Sequence, residues 1–138
     1  MELREASIVE VEKRIKDAKV QLGIVTCKRM PGAAINASFC PAVLIVEMED
    51  AVVKKASRGK AIYPAVRNLE LVLEIITALD FNIKKLYRDV RSVVLLNPIV
   101  ADNCIIEEIR AEGPSGYELP DIQGMRLVLS LLYTDNGN

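Results

Sequence analysis

From Ala51 to Leu69 the chain carries Lys54, Lys55, Arg58, Lys60 and Arg67 and not one carboxylate. Phosphate contacts need cations at this density without intervening acids, and arginine adds bidentate geometry. These five residues are therefore the candidate nucleic-acid-binding set. Lys84, Lys85, Arg88 and Arg91 supply a second basic cluster further on. Two properties set this pattern apart from a dedicated nucleic-acid binder. The sequence pI is about 5.6, and only Tyr63 and Tyr87 lie close by as stacking platforms.

Other chemistry is narrowly bounded. The chain has no histidine, which removes Ser-His-Asp and Cys-His catalysis, His-ligated metal and the commonest general acid/base. Glu107–Glu108 and Glu49–Asp50 are adjacent carboxylates, and neighbours in sequence point in different directions on a helix or a strand, so neither pair converges. Ser57-Arg58-Gly59-Lys60 has the closing pair of a phosphate-binding loop without its first glycine. Cys27, Cys40 and Cys104 are odd in number and widely spaced, which argues for core residues over a disulfide framework or a zinc site. The lysines cluster in polar company, which does not depress a lysine pKa. No catalytic residue, metal or cofactor is expected, and the sequence argues for a binding or assembly protein.

The elements that must position the basic run are read from periodicity and punctuation. Ser7–Val11 alternates with period two and predicts a strand; Val20–Cys27 is a second, more buried one, and Ala42–Glu47 a near-continuous aliphatic strand. Three consecutive helices are expected between residues 49 and 90. The first opens on Glu49 and Asp50, closes on Lys54, Lys55 and Arg58, and stops at Gly59, as the helix dipole and a glycine C-terminal cap favour. In the second, opened by Pro64 and ended at Asp80, Val66, Leu69, Val72, Leu73, Ile76 and Leu79 form one apolar face. Its remaining apolar positions, Leu71, Ile75 and Ala78, predict a second surface for a protein partner. The third, residues 83–90, is capped by Asn82. Residues 92–98 and 125–133 read as strands, 103–109 as strand or short helix, 30–41 as a loop or one or two helical turns, and 111–124 as a loop.

The 138 residues, 51% hydrophobic, suit one α/β domain, with α+β as the alternative: a mixed sheet packed by about three helices. The tail 134–138 is expected to fray. Residues 1–91 hold 16 basic and 12 acidic groups and residues 92–138 hold 2 and 7, which suggests two electrostatically different faces. Neither a signal peptide nor a membrane span is apparent, so a cytoplasmic location is expected.

Two family resemblances run through the middle of the chain. Leu71, Glu74, Ile75 and Ile76, followed by Asn82 and Ile83, resemble the long-helix stretch of the small non-catalytic, PRPK-binding-protein-like subunit of the KEOPS complex, a likeness covering roughly residues 19–96. It implies a non-catalytic accessory subunit that binds a kinase-like protein and tRNA in threonylcarbamoyl modification. Residues 58–72, RGKAIYPAVRNLELV, with 105–110, IIEEIR, are similar to segments of the Alba nucleic-acid-binding family, which implies that the basic residues contact DNA or RNA. A third reading is a small-molecule-binding regulatory α/β domain, with 111–124 as its lid.

Overall fold

The computed structural model describes residues 2–29, 37–55, 65–116 and 121–135. The first element is helix α1, Leu3–Asp17, where residues 7–11 were expected as a strand. Ser7, Ile8, Val11 and Ile15 are its buried residues, a spacing of three and four that exceeds the five-residue alternating window. Lys13–Asp17, Arg14–Glu10 and Lys16–Glu12 pair one turn apart along it. A short helix α2, Lys19–Leu22, ends at Gly23, whose φ of 70° is the left-handed conformation that closes a helix. Strand β1, Thr26–Arg29, follows.

Strand β2, Ala42–Lys55, begins as the strand expected at 42–47 and runs on through the start of the first expected helix, and β3, Ala65–Ala78, lies where the second helix was expected. Helix α3, Ile83–Val94, is the third expected helix, and Asn82 caps it by accepting from the Lys85 N–H at 3.2 Å. It runs one turn further than its expected end, because Val90 and Val94 are both buried, so residues 92–94 are helix where a strand was expected. Strands β4, Ile99–Ala101, β5, Cys104–Gly116, and β6, Ile122–Asp135, complete the chain. Most of the expected 111–124 loop is therefore the end of β5 and the start of β6; residues 117–120 lie outside the described residues. Of the tail, Thr134 and Asp135 belong to β6 and the remainder lies outside the described residues.

The six strands form one mixed sheet in the order β1-β2-β3-β6-β5-β4. β1 is parallel to β2, and every other pair is antiparallel. The expected class holds: a single mixed α/β domain, with three α-helices among the described residues. What differs is where the helices lie. Leu69, Leu71, Leu73 and Ile75 of β3 face the helices with Leu127, Leu129 and Leu131 of β6, Ile8, Val11 and Ile15 of α1, and Leu86, Val90 and Val94 of α3. Side chains alternate across a strand, so Val72 and Ile76 lie on the opposite face, where Ile76 joins Ala42, Leu44 and Ile122 in a smaller cluster.

That burial on both faces explains why β3 was read as a helix. A central strand lined on both sides is apolar at nearly every position, and any such run contains spacings of three and four. Its β-branched Val66, Val72, Ile75, Ile76 and Thr77 are the residues that fit a pleated surface.

Candidate interaction surface

The structure separates the five basic candidates. Lys54 and Lys55 end β2, in register with Val66 and Ala65 of β3. Arg58 and Lys60 lie outside the described residues. Arg67 sits on β3, where its Nε donates to Asp50 Oδ1 at 3.0 Å and its Nη1 stands 3.9 Å from Asp135 Oδ2. The hydrogen bond that Arg67 donates to Asp50 is the main cause raising the Arg67 pKa. The same Asp50 accepts from the Tyr133 hydroxyl at 2.6 Å and lies 3.6 Å from Arg4 Nε. Arg67 is thus a fastening between β2, β3 and β6 rather than a free phosphate ligand.

The three candidate partner-contact residues also change place. Leu71 and Ile75 are fully buried in the core under the helices, so they offer no contact surface in this fold. The reason is the period: on a strand they fall on the same face as Leu69 and Leu73, not on a second stripe. Ala78, at the end of β3, is half-buried, and its carbonyl accepts from Gln123 Nε2 at 3.1 Å.

The groups with reactive potential are engaged with one another. Glu108 accepts from the Tyr87 hydroxyl at 2.6 Å and from Arg91, tying α3 to β5. The Tyr87 hydrogen bond is the leading cause that holds the Glu108 carboxyl below its usual range. Burial, with Glu108 beside it, pushes Tyr87 up to about 12. Burial also raises the Cys27 thiol to about 11 and raises Cys40 and Cys104, the opposite of an activated thiolate. On the face away from the helices, Arg126 stands 3.3 Å from Glu74 and 4.0 Å from Glu112, and Arg110 stands 2.7 Å from Glu112 and 3.7 Å from Glu70. A shallow depression of about 230 Å³ at the end of this ladder is lined by Glu112, Ser115, Gly116, Gly124 and Arg126. Among the described residues, no group of three His, Cys, Asp or Glu side chains is placed to hold a metal ion.

Exposed apolar residues are spread over the described residues, Val20 and Leu96 the most exposed, and one group of them lies on β2 and β5. Met48, Val52 and Val53 of β2 are exposed, and so are Ile105 and Ile109 of β5. With a helix expected to open on Glu49 and Asp50, Val52 and Val53 fall in its first turns rather than on a strand edge. The doublet Val52–Val53 beside an aliphatic strand was the available signal.

The fold and this surface define a class: a one-layer mixed sheet covered by helices on one face, with exposed apolar residues on β2 and β5. No protein-family model matches the chain, and no curated protein sequence matches it. Among solved structures it is similar to a chain in the virion of a native gene transfer agent particle, with a TM-score of 0.58 at 13% sequence identity, over 91% of this chain and 92% of that one. Among the described residues, no helix is long and apolar enough to cross a membrane.

Proposed function

We propose that this chain is a non-catalytic structural subunit of a multi-protein particle. The observation that carries the reading is the sharing of a whole fold, nearly end to end, with a chain of a virion particle. The chemistry of the surface supports it. The carboxylates, tyrosines and arginines with distinctive environments fasten elements to one another, while exposed apolar residues lie along strand edges suited to protein contact. The test is to purify the tagged chain from the cells that make it, fractionate by sedimentation and image the fractions by electron microscopy. The chain is expected in fractions that contain particles. Recovery in low-mass fractions alone overturns the reading.

A second reading keeps the acid-free run as a contact for tRNA or another nucleic acid, within an accessory subunit whose protein partner is kinase-like. The feature favouring it is that Lys54 and Lys55 close a strand immediately before Arg58 and Lys60 in sequence. Binding would weaken linearly on a log-log plot against salt, and replacing Lys54, Lys55, Arg58 and Lys60 with Glu would abolish it. Absence of gel retardation at low salt removes the nucleic acid, and absence of a kinase-like protein in a pull-down removes the partner.

A further inference from the structure

The sheet ends on two free edges at opposite corners. β1 accompanies β2 only from Ala42 to Ile45. β4 and the Pro98 carbonyl accompany β5 only as far as Ile106. Among the described residues, 46–55 of β2 and 107–116 of β5 therefore have no strand on their outer side, and such a row of unpaired N–H and C=O groups, interrupted on β5 only at Pro114, which has no N–H, is a template for another strand. β2, β3, β6 and β5 alternate in direction. A neighbour in the same orientation consequently presents its β5 antiparallel to this β2.

We propose that a second copy of this chain docks head to tail by strand addition, with β2 residues 46–54 of one copy pairing antiparallel with β5 residues 107–115 of the next. The inference rests on the subunit reading and names one partner for that surface. Two observations select this register.

The first is a match of irregularities. β2 slips against β3 between Glu47 and Asp50 and again between Val52 and Lys54. β5 slips against β6 between Glu108 and Arg110 and again between Glu112 and Ser115. With Lys54 set opposite Glu107, each slip on one edge lies beside a slip on the other. The inner registers then keep the two sheets in phase. Ala51 meets Arg110 and Val46 meets Ser115 on the face away from the helices, and Asp50 meets Ala111 on the helix face. An unmatched slip would turn every following side chain to the wrong face.

The second is complementarity. The lysine position 54 falls opposite Glu107, an exposed carboxylate with no hydrogen bond or ion pair among the described residues. Val52 and Val53, 45% and 60% exposed, fall beside Ile109, 45% exposed. Glu112, which falls opposite Glu49, is already neutralised by Arg110 and Arg126. Lys54 is level with Val66, and Glu107 with Glu70 through Ser130, so successive copies are staggered by four residues, about 13 Å along the strands. A contact that joins two different patches is heterologous, and it grows into a ring or a filament.

The test uses the purified chain alone. Lys54→Glu with Lys55→Glu blocks the β2 edge, and Glu107→Lys with Ile109→Lys blocks the β5 edge. In sedimentation velocity the unmodified chain should associate with rising concentration, and each variant should run as a monomer. A one-to-one mixture of Val53→Lys and Ile109→Lys, whose mutated edges carry like charges and repel, should give a dimer and nothing larger, since each supplies one intact edge. Should a double variant lose its fold, Val53→Lys and Ile109→Lys, at exposed positions, carry the same test. A monomer at millimolar concentration, or a single-edge variant that still dimerises by itself, overturns the proposal. Incorporation into particles by a chain that never self-associates overturns this inference and leaves the subunit reading standing, whereas self-association without particles does the reverse.

Discussion

The Arg14 guanidinium on α1 closes the end of α3: Nη1 donates to the Val94 and Asn97 carbonyls, each at 2.7 Å, and Nη2 donates to the Ile99 carbonyl at 3.0 Å. The last carbonyls of a helix have no partner within it, and here one side chain serves that end and the turn into β4. Arg14→Ala should cost about 2–3 kcal/mol, the range for charged hydrogen bonds lost from a partly buried site. Arg14→Lys should recover only part of it, since an ammonium lacks the planar fork. Urea unfolding followed by circular dichroism measures both, and an Arg14→Ala variant as stable as the parent would refute the role.

Placement of Leu71 and Ile75 in the core makes a sharp stability prediction. Truncation of either to Ala should destabilise by about 2–5 kcal/mol. Ala78→Ser, at a half-buried strand end, should be close to neutral. Thermal melts of the three variants separate this arrangement from one with Leu71 and Ile75 on a surface.

Two shifted groups predict opposite limbs of a pH profile. Glu108 is held below its ordinary value by Tyr87 and then Arg91. Its contribution is therefore present above the ordinary carboxylate pKa and lost as pH falls through the lowered one. Tyr87 is raised from 10.0 to about 12, chiefly by burial. Its contribution is complete below pH 10 and disappears as pH rises toward 12. Glu108→Gln should flatten the acid limb and Tyr87→Phe the alkaline limb, read as unfolding midpoints across pH.

Gln123 joins the end of β3 to the start of α3. Its Nε2 lies 3.2 Å from Thr77 Oγ1 and within 3.0–3.4 Å of the Ala78, Leu79 and Phe81 carbonyls. Gln123→Ala should cost about 1–2 kcal/mol. It should also speed amide exchange of the first turn of α3 while leaving the β3–β6 ladder protected. Uniform acceleration across the domain would contradict a local role.

Legibility followed the range of the interactions involved. α3 was readable because its determinants lie within one short segment: an Asn cap, an apolar stripe and cations on the outer side. Ala42–Glu47 and residues 125–133 were readable as strands because their aliphatic runs are short and bounded. α1 was missed when five alternating residues outweighed a fifteen-residue period. The candidate surface was read least well. Arg67 looked like a phosphate ligand until Asp50 and Asp135 were brought beside it from distant parts of the chain.

Composition and local pattern by themselves determined a single mixed α/β domain, excluded histidine chemistry and located α3. The tertiary structure alone decided that residues 42–55 and 65–78 form two long antiparallel strands. A strand's partners are remote in sequence: Leu71 faces Glu47 on one side and Leu129 on the other. Helical spacing and a two-sided strand look alike until those partners are known, because local propensity differs by less than burial against neighbouring strands decides. The free edges of β2 and β5 follow for the same reason, since an edge exists only by virtue of which strands the fold leaves beside it.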